Sequence, residues 1–225
     1  MAAALAAEEK LFARIAEDLL ANSWSVLPAC LPTALSTALQ QQLHSMGTID
    51  FSPAGIGRGT DHAVVAQVRR DEILWIEGAT AAEREWLDWS GRLQSYLNRR
   101  LFLGLFSFES HFAHYGPGAF YRKHLDAFKA QSNLDAAGGD GTNRVVSLVA
   151  YFNSQWQPED GGELVLYAAD GNMEVGRVTP ALGTLVVFLS EDIPHEVLPA
   201  QRDRFSIAGW YRINQTRHGR TDPPR

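Results

Sequence analysis

PHEVLPAQRDRFSIAGWYRIN, residues 194–214, holds two short β-rich runs joined by a polar, proline-marked corner. The second run alternates, so Arg204, Ser206, Ala208 and Trp210 share one face while Phe205, Ile207 and Tyr211 share the other. Runs of the same kind recur upstream from Leu103: SFESHFAHYG (107–116), FYRKHLDAF (120–128), RVVSLVAYFN (144–153), GGELVLYAA (161–169) and TLVVFLS (184–190). Gly, Pro, Asn and Asp fall between them. Seven or eight short strands over roughly 103–213 predict a jelly roll or barrel.

The first hundred residues read differently. Leu5, Phe12, Ile15 and Leu19 share one helical face, and Leu35, Leu39, Leu43 and Met46 share another after Pro32. A third helix begins at Thr80, with Glu83 three residues on in a capping-box pattern, and carries Trp86, Trp89, Leu93 and Tyr96 on one side. Between the last two lie a glycine-rich loop, FSPAGIGRGTDH, and AVVAQVRRDEILWIEG, which reads as two short strands. The expected class is α+β, with helical support over roughly 1–100, and one domain spans 1–225. The loops at 52–71 and 127–143 read as mobile, and 214–225 as a frayed tail.

With 45% hydrophobic and 20% charged residues in 225, the chain can bury one sizeable core. A net charge of -6 and a pI near 5.6 provide no basic field for a phosphate backbone, so no nucleic-acid partner is expected. The single cysteine, Cys30, excludes an intrachain disulfide and any multi-cysteine zinc site. No run approaches the roughly 18 apolar residues of a membrane span, and the start lacks a basic leader, so a cytoplasmic monomer is expected.

Any metal must then use His and carboxylates. In YRKHLDAF, His124 and Asp126 are two apart, which on a strand aims both side chains at one face. His195, opening a late strand behind Pro194, is the best third candidate. Two His and one carboxylate form the facial triad of non-haem Fe(II) oxygenases, with positions left for an oxo-acid and dioxygen. Arg204, on an interior face, requires an anion: either a bound carboxylate or an internal Asp or Glu. Alternation groups Ser147, Val149 and Tyr151, so a phenol could share that anion while Val149 and Leu164 form apolar walls.

The segments RRDEILWIEG, HYGPGAFYRKHLDAF, RVVSLVAYFN, QWQPEDGGELVLY and PHEVLPAQRDRFSIAGWYRIN, in that order, resemble the prolyl 4-hydroxylases of the oxygen-sensing (PHD) type, in particular their bacterial branch. The resemblance implies a double-stranded β-helix and an Fe(II)/2-oxoglutarate-dependent dioxygenase that couples prolyl hydroxylation to decarboxylation of 2-oxoglutarate to succinate. It carries over His124, Asp126 and His195 as iron ligands, and Arg204 with Tyr151 as partners of the distal cosubstrate carboxylate. Tyr115 matches a tyrosine near the cosubstrate, although the segment from Tyr115 to Tyr121 is one residue shorter here. Val149 and Leu164 match pocket walls. Arg144, Trp210, Tyr121 and Asp71 fall at positions on the substrate side, and Trp75 beside the lid segment. Ala208 departs from the pattern, since the animal members carry a threonine there. The protein substrate implied first is elongation factor Tu, with which bacterial relatives are associated. Two other readings stand beside this one. RINQTR (212–217) is one residue short of a nucleic-acid demethylase signature of the same fold, and a small-molecule hydroxylase or a non-catalytic 2-oxoglutarate-binding module would use the same ligands.

Overall fold

The structure is a computed structural model, and it describes residues 2–46, 51–54, 67–127 and 143–214. Three helices, α1 (Ala2–Asn22), α2 (Thr33–Ser45) and α3 (Ala81–Leu101), form where helical spacing predicts them. The Thr80 hydroxyl caps α3 by accepting from the Glu83 N–H at 3.1 Å. Glu83 folds back to accept from the N–H groups of Gly78 and Ala79, at 3.0 and 2.9 Å. This cap satisfies donors that a buried helix start would otherwise leave orphaned.

Among the described residues, eleven strands follow the element order of a double-stranded β-helix. They are β1 (Trp24–Leu27), β2 (Ser52–Pro53), β3 (Glu72–Trp75), β4 (Leu105–Tyr115), β5 (Tyr121–His124), β6 (Arg144–Tyr151), β7 (Leu164–Tyr167), β8 (Glu174–Val178), β9 (Leu185–Leu189), β10 (His195–Val197) and β11 (Arg204–Ile213). The larger sheet runs β1-β9-β6-β11-β4-β3-β2, and the smaller runs β5-β10-β7-β8. Alternation along the central strands serves both sides of the larger sheet. Outward residues Phe112, Val146, Leu148, Ile207 and Tyr211 pack beneath Phe12, Ile15, Leu39, Trp86, Trp89 and Leu93 of the helices. Inward residues Ala113, Tyr115, Tyr151, Val186 and Phe188 meet Leu164, Leu166, Val178 and Val197 of the smaller sheet. Each large side chain so buried stabilises the fold by about 1.5–3 kcal/mol.

Three expectations need correction. β1 lies in the half read as helical, and it exists because Trp24–Leu27 pairs with the edge of β9. β8 went unmarked, since its EVGRV run has little apolar character and forms by pairing with β7. Leu5 is 58% exposed and lines a groove with Leu87, Gly91 and Tyr96 instead of joining the core. Of the two strands read in 63–78, β3 forms, while residues 63–66 lie outside the described residues. Most of both glycine-rich loops, and the tail beyond Asn214, also lie outside them.

Candidate active site

β10 lies against β5 with His195 opposite His124. Each ring turns Nδ1 to a backbone carbonyl, His124 to Arg122 at 2.8 Å and His195 to Ile193 at 3.1 Å. A carbonyl can only accept, so both Nδ1 atoms carry hydrogen and each Nε2 keeps a lone pair for a metal. Those lone pairs converge on Asp126, with His124 Nε2 3.6 Å from Oδ1 and His195 Nε2 3.7 Å from Oδ2. One ligand atom from each of the three lies within 4.8 Å of the others, a cluster that could hold one ion. Asp126 sits in the bend after β5, so it reaches the site from beyond the strand and not by strand alternation as the sequence reading supposed. Ser147 on β6 donates to Asp126 Oδ2 at 2.6 Å and meets Ser190 Oγ at 2.9 Å.

Burial drives the His195 imidazole down to about 4, with His124 adding to the effect and Asp126 and the Ile193 carbonyl opposing it. Burial alone would raise the Asp126 carboxyl, but His195, His124 and Arg144 outweigh it and hold the group far below the usual carboxylate range. Both shifts are depressions, so on acidification the unfolded chain binds more protons than the folded one and stability falls. His195 acts from pH 6.5 downward, Asp126 only below about 4. The metal-free protein is therefore expected to lose about 2 kcal/mol through His195 between pH 7 and 5. Melting followed across that range should show the slope, and His195→Gln should flatten it.

Arg204, at the start of β11, is 1% exposed. Its Nε donates to the Gly162 carbonyl at 2.8 Å and its Nη1 to Ser206 Oγ at 3.4 Å. Among the described residues, Nη2 has no hydrogen-bond partner and neither has the buried Tyr151 hydroxyl, whose phenol burial raises above its usual value against the opposing Arg204 charge. The guanidinium lies 4.8 Å from the Tyr115 ring centre and 5.0 Å from that of Tyr151. Among the described residues no carboxylate pairs with Arg204, so an internal salt bridge does not account for it. A buried guanidinium with Nη2 unpartnered, beside an unpartnered hydroxyl, offers two polar atoms that could receive a carboxylate. Val149 and Leu164 belong to the apolar cluster that also contains Tyr115 and Tyr151.

The remaining predicted residues sit around this core. Arg144 stacks on the Trp210 ring at 3.6 Å and donates to Glu109 at 2.9 Å. Asp71 is buried, with both carboxylate oxygens taken by Arg69 at 2.7 and 2.5 Å. The Tyr121 ring lies on His124 at 3.6 Å between centroids, with the Arg69 guanidinium 4.3 Å from its centre. Trp75 meets His111 edge-on at 5.3 Å, and Ala208 pairs with Val149 and His111. Arg212, from the RINQTR run, donates to Asn143 at 2.7 Å and is buried.

Sequence reasoning missed Ser147 as the support of Asp126, and Gly162 as the anchor of Arg204. Alternation had already put Ser147 on the interior face. Gly162 has φ +70, and a Cβ there would stand 2.9 Å from Ala200 Cβ and 3.2 Å from Arg204 Cδ. Gly162→Ala is expected to cost about 1–2 kcal/mol of stability. It should also weaken 2-oxoglutarate binding by displacing Arg204, which thermal melting and ligand titration would read separately.

The family profile for the 2OG-Fe(II) oxygenase superfamily matches residues 110–212, the stretch that carries every residue of both clusters. A Pseudomonas putida prolyl-4-hydroxylase of solved structure is 40% identical, with a TM-score of 0.76 over 90% of this chain and 98% of that one. The chain belongs to the 2OG-Fe(II) oxygenase superfamily. A Trichoplax adhaerens prolyl hydroxylase, solved with a peptide of the hypoxia-inducible factor oxygen degradation domain, is 28% identical, with a TM-score of 0.77 over 94% of this chain and 93% of that one. Mouse Egl nine homolog 1 is 28% identical over 175 residues, and the aligned region spans 69% of this chain and 40% of that protein. Membership brings Fe(II), 2-oxoglutarate and dioxygen. The residues fit them: an N,N,O ligand set with lone pairs converging, and at Arg204 and Tyr151 two unpartnered polar atoms for a carboxylate. No helix among the described residues is long and apolar enough to cross a membrane.

Proposed function

We propose that the chain is a prolyl 4-hydroxylase acting on a proline in a loop of another protein. The observation that carries this reading is the pairing of the His124–Asp126–His195 cluster with the orphaned Arg204 and Tyr151 groups in one barrel, in a chain 40% identical to a prolyl-4-hydroxylase. When bound, Fe(II) with 2-oxoglutarate activates dioxygen; one oxygen atom goes to the substrate carbon and the other leaves in succinate as carbon dioxide is released. The protein's own work is positional. Arg204 and Tyr151 hold the distal carboxylate by charge-assisted hydrogen bonds, and Val149 and Leu164 keep water from the chain between. Ser147 fixes the rotation of Asp126, and the two backbone carbonyls fix the tautomers of the histidines. Trp210, with Arg144 stacked on its ring, offers the prolyl segment an aromatic edge beside a cation.

Elongation factor Tu is the first candidate substrate. Incubation of that protein and of a prolyl peptide library with enzyme, Fe(II), 2-oxoglutarate and air, followed by mass spectrometry, should show one added oxygen on a proline and a matching yield of succinate. Succinate without a modified prolyl residue in either sample would discard the prolyl reading while keeping the oxygenase.

A further inference from the structure

His111 is buried at 3% exposure on the inward face of β4, and no step above uses it. Burial lowers its imidazole to about 4, Arg69 and Arg144 add to the effect, and Asp71 and the Phe112 carbonyl oppose it, so the ring is neutral. Nδ1 lies 3.1 Å from the Phe112 carbonyl and must donate to it, which makes Nε2 an acceptor. Among the described residues Nε2 meets no hydrogen-bond partner. The ring stands 5.3 Å from Trp75 on one side and 5.3 Å from Trp210 on the other, and Arg144 covers Trp210. Three rings thus follow one another along one wall, His111 standing edge-on to Trp75 at 88° and tilted 55° to Trp210, from Trp75, which is 37% exposed, to the buried Trp210. On that wall the His111 Nε2 lone pair is an acceptor, whereas the two indole N–H groups can only donate.

We propose that His111 determines specificity: its Nε2 accepts a hydrogen bond from a backbone N–H of the substrate polypeptide, next to the prolyl ring on the Trp75–His111–Trp210 wall. The inference rests on the prolyl reading above and deepens it. Register sets the distance. Ser147, which holds Asp126, pairs with Trp210, whereas His111 pairs with Ala208, two residues along β11 and on the far neighbouring strand. Two residues along and two strands across is roughly 12 Å between Cα atoms. An extended peptide covers that span in about four residues. Since prolyl nitrogen carries no hydrogen, the donor belongs to a flanking residue, and an apolar wall alone would leave that N–H unpaired.

The test is a binding cycle on the Fe(II)- and 2-oxoglutarate-loaded protein held without oxygen. The probe is a fluorescent decapeptide centred on the proline modified in the mass-spectrometric assay, with a series in which each flanking backbone nitrogen is methylated in turn. Against wild type, methylation at one position should raise the Kd roughly tenfold. His111→Leu should weaken the parent peptide by a similar factor and make that methylation neutral, while His111→Gln restores part of the loss and the sensitivity. Methylation effects that are the same in wild type and His111→Leu would overturn the proposal, as would equal losses in the Leu and Gln variants. If the Leu variant fails to fold, a wild type indifferent to every methylation overturns it alone. A wild type that binds no prolyl peptide takes down the prolyl reading and this inference together, whereas binding with an additive cycle removes only the role of His111.

Discussion

Replacing Arg204 by methionine is expected to weaken 2-oxoglutarate binding by roughly 30-fold or more, because truncating one partner of a buried charge pair costs about 2–5 kcal/mol. The guanidinium is pinned at Nε by Gly162 and at Nη1 by Ser206, so the unpartnered Nη2 is held ready beside the Tyr151 hydroxyl. Methionine keeps much of the apolar stem and its packing against Tyr115 and Tyr151, which isolates the lost charge. The same substitution should leave the melting temperature of the ligand-free protein unchanged or raise it, since an unpaired buried cation is removed. Opposite signs in the two measurements separate a ligand-binding arginine from a structural one, whose loss would lower stability. Lysine should recover little, as an ammonium cannot reproduce the fork. Tyr151→Phe should lose about a factor of 3–10, the value of one hydrogen bond.

The Arg204 end of the site was legible in sequence because β11 is regular. The strand alternates without a break from Arg204 to Tyr211, so the faces assigned to Arg204, Ser206, Ala208 and Trp210 follow from period two. His195 was legible for a related reason: β10 begins at that residue, just after Pro194. Asp126 was found by a rule that does not apply to it, since β5 ends at His124 and a bend supplies the orientation. Contacts made only by the fold were not legible. Ser147 and Ser190 are 43 residues apart and meet because β6 pairs with β9, and β1 forms only because β9 has an edge to offer. His111 was passed over because an imidazole on an apolar strand resembles ordinary core until its neighbours on β3 and β11 prove to be tryptophans with an acceptor between them.

The other large effect is expected at Asp126. Loss of a group that merely supports a metal ligand costs about 10–100-fold in metal affinity, so Asp126→Ala, which removes a ligand and the only negative charge of the cluster, should cost more than about 100-fold. Ser147→Ala provides the internal scale. It deletes the 2.6 Å bond to Asp126 Oδ2, frees the carboxylate to rotate, and should fall within the 10–100-fold range. Thermal melting under Fe(II) titration without oxygen reads both. In wild type, metal at 100 times its Kd adds about 2.7 kcal/mol to stability. At the same metal concentration Ser147→Ala should keep a reduced shift and Asp126→Ala should show almost none. The order matters as much as the sizes, because Ser147 touches the site only through Asp126. A Ser147→Ala shift as small as that of Asp126→Ala would mean that the hydroxyl holds the whole ligand set in place. A full-sized shift would mean that the two backbone-anchored histidines orient the carboxylate without its help.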